Sequence, residues 1–141
     1  MPRTTPYPTI VQQADTALND SDKTLTVPAG KQWGLRSVYA KLITTATAGN
    51  RQMDVLLTDA ADNIVAKFVA GAVQAASLTR EYVFAPEHPQ ETGFTGGVML
   101  RALAGALVLP PGYKVRVYDS AAIDAAADDL TMRLLVEEMS E

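Results

Sequence analysis

The chain has 141 residues, 12 Lys and Arg against 16 Asp and Glu, a formal net charge of -4 and no cysteine. At this length one domain is the simplest organisation. The mildly acidic balance offers no basic footprint for a nucleic acid, and without cysteine neither a disulfide nor a thiolate metal site can form. The longest apolar stretch, 102–109, has eight residues, whereas a membrane-spanning helix needs roughly 20. We therefore expect no nucleic-acid partner and no membrane partner.

The first 22 residues differ from the rest. Pro2, Pro6 and Pro8 favour extended backbone, and the polar residues that follow leave little to bury. Two interpretations are open: a disordered tail, or an arm that becomes ordered against a neighbouring subunit. In the second interpretation four side chains are the candidate anchors: Tyr7, Ile10, Val11 and Leu18. We predict an extended N-terminal arm over 1–22 and a sandwich domain over 23–141.

One device then appears twice: an apolar run stops at proline, turns on glycine and resumes as another apolar run. The first copy contains Pro28 and Gly30, and the second contains Pro110 and Gly112. Proline fixes φ and donates no ladder hydrogen bond, while glycine accepts the positive φ that a tight reversal often demands. The device predicts corners between short strands.

Alternating and β-branched residues predict strands along most of the chain. In order they cover 23–27, 32–45, 51–58, 64–69, 78–85, 98–109 and 114–119. Turn residues at 59–63 predict a hairpin between the third and fourth of these strands. The alanine-rich stretch 70–78 is ambiguous, and the Pro- and Gly-rich segment 86–97 is the longest predicted loop.

The C-terminal segment fits two patterns. Four residues fall on one helical face: Ile123, Ala127, Leu130 and Leu134. Four alternate as they would in a strand: Leu130, Met132, Leu134 and Val136. We favour a helical turn near 120–127 followed by a strand. The total is then about eight strands, which predicts an all-β, antiparallel β-sandwich.

Catalytic residues are not evident in the sequence. His88 is the only histidine and lies in the predicted loop, with Glu87 and Glu91 near it. Acid–base catalysis and nucleophilic catalysis need a positioned base beside a nucleophile or a second tuned group, and no Ser or Cys motif accompanies these residues. We expect an exposed loop histidine, no enzymatic activity, no cofactor and no metal.

Closely spaced carboxylates could hold a hard cation. The candidates are Asp119, Asp124, Asp128 and Asp129. Their spacing differs from the Asp-x-Asp-x-Asp-Gly of a calcium loop, and turn and capping roles explain them better.

Two other patterns have a functional and a structural interpretation. Gly93, Gly96 and Gly97 lack the Lys-Ser/Thr ending of a phosphate-binding loop and precede a strand, so they predict a flexible loop tip. Five aromatic residues could form a sugar-stacking platform: Trp33, Tyr39, Tyr82, Tyr113 and Tyr118. We expect Trp33 and Tyr82 in the core instead, because aromatic side chains contribute large buried areas.

Four segments together resemble the small β-sandwich virion proteins of tailed bacteriophages. They are LTVPAGKQW at 25–33, ATAGNR at 46–51, LPPGYKVRVYD at 109–119 and AAIDAAADDL at 121–130. Within that group the chain looks most like the head decoration, or cement, proteins. The alternative is a tail, neck or fibre-associated sandwich, with receptor or carbohydrate binding as its function.

The resemblance implies a jelly-roll-like sandwich with an N-terminal arm that reaches across the capsid lattice. It also implies a homotrimer on the outer surface of the capsid, made in the host cytoplasm, with the major capsid protein as its partner. A protein of this class performs no chemistry and gains affinity from several simultaneous contacts.

Overall fold

The computed structural model describes residues 9–19, 22–105 and 107–140, and in these residues the chain is all-β. Ten strands follow in chain order: β1 (Thr9–Asn19), β2 (Lys23–Thr26), β3 (Lys31–Ile43), β4 (Met53–Thr58), β5 (Ile64–Val69), β6 (Thr79–Pro86), β7 (Val98–Leu103), β8 (Leu107–Leu109), β9 (Lys114–Asp119) and β10 (Asp129–Ser140). No helix long and apolar enough to cross a membrane occurs in these ranges.

The strands form two sheets. Sheet A has the order β1-β10-β3-β6-β7, with β8 also paired to β3, and sheet B has the order β2-β9-β4-β5. Every pairing is antiparallel except that of β6 with β7. The predicted all-β sandwich is confirmed, with ten strands where the sequence indicated about eight.

The core lies between the two sheets. Alternate residues of the central strands β3, β4, β9 and β10 point inward, as the period of two requires. The largest buried apolar side chains include Trp33, Leu35, Tyr82, Phe84 and Met132. Trp33 and Tyr82 are therefore core residues, as the sequence predicted.

The C-terminal segment resolves into a turn and a strand. Residues 123–127 form turns, in which the Asp128 amide donates to the Asp124 carbonyl at 2.8 Å. The strand β10 then pairs with β3 along its whole length. The alternative prediction, a helical face through Leu130 and Leu134, is wrong, because both side chains point into the core from a strand.

One strand assignment and the direction of one strand pairing need correction. The predicted strand 98–109 is divided into β7 and β8, which pair with different partners. The break falls around Gly105, where a positive φ interrupts the strand. The loop 87–97 is long enough for a crossover, so β7 lies parallel to β6, whereas a short hairpin loop would have imposed an antiparallel pair.

The two proline-glycine corners contact each other. Each corner is closed by one backbone hydrogen bond. The Lys31 amide donates to the Pro28 carbonyl, and the Tyr113 amide donates to the Pro110 carbonyl, both at 3.2 Å. Gly30 and Gly112 occupy the position with φ of 75° and 83°, which glycine adopts without strain in a type II turn.

Val27 joins these corners, because its amide donates to the Tyr113 carbonyl at 2.8 Å and its carbonyl accepts from the Gly112 amide at 2.9 Å. The repeated sequence device is thus one structural unit, which closes one end of the sandwich.

Part of the predicted arm belongs to sheet A. Residues 9–19 form β1, which pairs antiparallel with β10 from Thr9 opposite Glu138 to Asp15 opposite Met132. Residues 1–8, 20 and 21 lie outside the described residues. The division of the chain at residue 22 stays a prediction.

Candidate functional site

The loop histidine is half-buried, not exposed as expected, and its Nδ1 has no hydrogen-bond partner among the described residues. His88 follows β6, and its amide donates to the Ala85 carbonyl at 3.4 Å. The Glu91 carboxylate accepts the Leu100 amide at 2.7 Å, which fastens the loop to β7. Glu91 therefore has a structural partner on the backbone and is not arranged as a base beside a nucleophile.

The acidic cluster is organised around Arg51. This arginine and Asp128 are both fully buried, and the guanidinium donates through Nε to Oδ2 at 2.7 Å and through Nη2 to Oδ1 at 3.1 Å. Its Nη1 also donates to the carbonyls of Thr47 and Gly49, each at 2.8 Å. The positive charge beside Asp128 is thus that of the Arg51 guanidinium.

Two further carboxylates of the cluster, Asp124 and Asp119, have local partners. Asp124 accepts hydrogen bonds from the hydroxyls of Thr45 and Thr47 at 2.7 and 2.9 Å, and these bonds lower the pKa of Asp124. Asp119 accepts from the amides of Gln52 and Ala121 at 2.9 and 3.0 Å. Within the described ranges, no three His, Cys, Asp or Glu residues are placed to hold a metal ion.

Arg51 was not a candidate in the sequence, although it is the residue that organises the cluster. The Asp128 carboxylate strengthens the charged form of the guanidinium through hydrogen bonding, which raises the pKa of Arg51. The cluster fastens the loop 45–51 to the turn before β10. Its contacts are internal and structural for Arg51, Asp124 and Asp128, whereas the buried Asp119 Oδ2 has no hydrogen-bond partner among the described residues.

The glycine-rich loop tip is anchored by an aromatic residue. Phe94 packs edge-on against Tyr82, with ring centroids 5.4 Å apart, and the Arg80 guanidinium lies 5.2 Å from the Phe94 ring centre. The strand β7 follows directly.

The aromatic residues do not form a sugar-stacking platform. Trp33 is 2% exposed and donates from its indole nitrogen to Glu138 at 3.0 Å. Tyr39 lies in sheet A, where burial and the neighbouring Glu81 raise its pKa. Tyr118 lies in sheet B under the guanidinium of Arg116.

A shallow groove with a mainly apolar lining lies on the outer face of sheet A. Four residues form one row across the sheet: Ile10 of β1, Glu137 of β10, Gly34 of β3 and Val108 of β8. Gly34 has no side chain, and Glu137 Cβ and Oε2 lie 3.4 Å from the position that a Cβ would occupy there. The groove is completed by Leu107, Leu135 and Met139.

Three large apolar side chains of this groove remain in contact with solvent. Ile10 is 53% exposed, Val108 is 55% exposed and Leu135 is 42% exposed. An ion pair between Arg36 and Glu137 lies along the groove. Exposed apolar side chains grouped around an ion pair suit contact with another protein.

The four predicted anchors have different surroundings. Ile10 lines the groove, whereas Leu18 is 71% exposed on the same strand. Val11 points inward and packs against the core, so it holds β1 in place. Tyr7 lies outside the described residues. Binding by this set of residues stays a prediction.

In comparisons with known proteins, no family matches this sequence and no curated protein matches it. Among solved structures, the chain is similar to one of turnip yellow mosaic virus, at 11% identity and a TM-score of 0.39, over 100% of this chain and 84% of that chain. Dimeric latent PorU from Porphyromonas gingivalis is 8% identical with a TM-score of 0.48, over 96% of this chain and 13% of that chain.

A third similar structure is the VP2 subviral particle of infectious bursal disease virus, at 11% identity and a TM-score of 0.36, over 91% of this chain and 33% of that chain. These likenesses concern β-sheet architecture and carry no functional argument.

Proposed function

We propose that the chain is a decoration protein of a tailed-phage head. It binds the exterior of the capsid as a homotrimer, contacts the major capsid protein and bridges neighbouring units of the lattice. The observation that carries the proposal is the exposed, mainly apolar groove that includes Ile10 of β1. The resemblance of the four sequence segments to virion proteins supports the same conclusion.

The geometry suits a protein that acts by contact alone. The apolar groove is built on paired strands of sheet A, so its shape is fixed before binding and little ordering entropy is lost. Three linked copies of one modest contact bind far more tightly than a single copy, because the later contacts become intramolecular. Such a protein stabilises a lattice without any reaction.

The test is binding to undecorated heads of the phage that carries the chain. The double variant Ile10→Ser/Leu18→Ser removes two exposed apolar side chains and no core contact. We expect it to bind heads at least about tenfold more weakly than the unaltered protein, since burying each such side chain contributes about 1.5 kcal/mol or more. Binding is measured by co-sedimentation with the heads.

The matched control is Ile64→Ser, which removes an equally exposed apolar side chain (62%) from β5, far from the groove in the sheet order. It should bind heads as the unaltered protein does. Deletion of residues 1–22 is a less selective test, because it also removes β1 and uncovers the edge of β10. Equal binding by Ile10→Ser/Leu18→Ser and the unaltered protein would contradict the role of the arm.

A further inference from the structure

An exposed edge of a sheet carries unpaired amides and carbonyls, and proteins protect such edges in recognisable ways. The edge of β7 is covered by its own loop. The amides of Val98, Leu100 and Ala102 donate to the Thr95 carbonyl at 3.1 Å, to Glu91 at 2.7 Å and to Gln90 at 3.3 Å. This edge is closed to any further strand.

The edge strands of sheet B have features that discourage pairing with another chain: they are short, and they carry a lysine, a nearby proline or a register shift. The strand β2 has four residues and is followed by Pro28. The strand β5 has six residues, carries Lys67 and has a register shift against β4 beside Thr58. Short strands, lysine, proline and bulges are the devices that discourage pairing with another chain.

The strand β1 has none of these devices along its regular part. Residues 9–15 pair with β10 without interruption, and the register shifts only after Asp15. This stretch contains neither proline nor a basic residue. No described strand pairs with its outer edge. It is therefore the long, regular and unprotected edge of the described sheets.

The same stretch is complementary to itself in antiparallel register. Its seven residues are centred on Gln12, so a twofold axis there brings every residue opposite a residue of the second copy. The facing positions are Thr9 with Asp15, Ile10 with Ala14, Val11 with Gln13, and Gln12 with itself. The only charge, Asp15, faces a hydroxyl, so no like charges oppose each other.

We propose that β1 binds β1 of a second copy of this chain, edge to edge and antiparallel, about a twofold axis at Gln12. Sheet A then continues from one molecule into the next, and the pairing satisfies the free amides and carbonyls of both edges. In the setting of the proposed function, on which this one statement rests, the contact would join neighbouring decoration proteins to each other on the head.

A single cysteine tests the register. The chain has no cysteine, and the facing Cα atoms of an antiparallel pair lie about 4.5–5.5 Å apart, within the range of a disulfide. Gln12→Cys should therefore form a covalent dimer under mild oxidation, seen on a non-reducing gel. Leu18→Cys, on the same strand beyond the register shift, is the control and should give little dimer.

Opposite charges give a second test in solution. Gln12→Lys and Gln12→Glu place like charges opposite each other, so each alone should dimerise at least about tenfold more weakly than the unaltered protein. An equimolar mixture should recover the dimer, because Lys then faces Glu. Leu18→Lys should dimerise normally. Sedimentation equilibrium at micromolar concentration measures all four samples, with the monomer as the associating unit or, if the protein is already a trimer in solution, with the trimer.

Three results would overturn the proposal: no self-association of the unaltered protein, equal association of Gln12→Lys, or no recovery in the mixture. Loss of dimer in both single variants without recovery would indicate another register or a different strand as the partner. Head binding is measured separately with Leu18→Ser, because Leu18 lies outside the paired residues 9–15, whereas Ile10 faces Ala14 in the proposed contact. Failure of the β1 contact is thus distinguishable from failure of the proposed function.

Discussion

At the scale of single residues, Arg51 shows how a long-range contact can be invisible in a sequence. Turn and capping roles for the aspartates were predictable from local chemistry, and Asp119 has such a role, since it accepts two amides. The pairing of Arg51 with Asp128 spans 77 positions. No local pattern indicates it, because the fold alone brings the two together.

Breaking this pair should cost much of the stability. Arg51→Met leaves the Asp128 carboxylate buried without its cation, and we expect the free energy of unfolding to fall by about 3–5 kcal/mol. Arg36→Ala, which removes an exposed partner of Glu137, should cost less than about 1 kcal/mol. Urea unfolding measures both. Equal effects would show that burial of the Arg51 pair is energetically unimportant.

Asp124 should make the stability depend on acid pH. Its pKa in the fold lies below the ordinary 3.8 because Thr45 and Thr47 donate to the carboxylate. A lowered pKa stabilises the fold above the ordinary value, and this contribution is lost as the pH falls through the folded pKa. The urea midpoint of Asp124→Asn should therefore fall less between about pH 5 and about pH 3 than that of the unaltered protein. A larger fall in the variant would contradict this assignment.

At the scale of strands, the sequence predicted those whose side chains alternate over a buried core. The strands β4, β5, β6 and β9 lie close to the expected positions for this reason. The strand β1 lacks that signal, because it is an edge strand with only Val11 packed against the core. The split between β7 and β8 and the parallel pairing of β7 depend on tertiary contacts, which no local pattern records.

Glycine substitutions should separate backbone strain from crowding at the two corners. Gly30→Ala meets no neighbouring atom and imposes only a positive φ, whereas Gly112→Ala also places a Cβ 3.0 Å from Ala60. We expect a loss of about 1–2 kcal/mol at Gly30 and more at Gly112. Gly93→Ala, in open space, should be nearly neutral. Thermal unfolding measures the loss of stability in each variant. Equal losses in Gly93→Ala and Gly112→Ala would contradict the assignment of strain and crowding to Gly112.

At the scale of the whole molecule, the contacts that stabilise the sandwich lie apart from its exposed apolar groove and the free edge of β1. The Arg51 cluster, the joined corners and the covered edge of β7 stabilise the two sheets. The groove and the free edge of β1 lie side by side on sheet A and face outward. The all-β sandwich could be predicted from composition, alternation and turn residues. The groove could not, because it depends on the order of β1, β10, β3 and β8 in the sheet.

The number of copies per particle tests the proposed function most directly. Quantitative mass spectrometry of purified virions compares this chain with the major capsid protein. A protein that covers the lattice should be present in on the order of hundreds of copies, because each linked contact repeats over the head. A handful of copies would instead indicate a tail, neck or fibre component, and absence from the particle would contradict a virion function altogether.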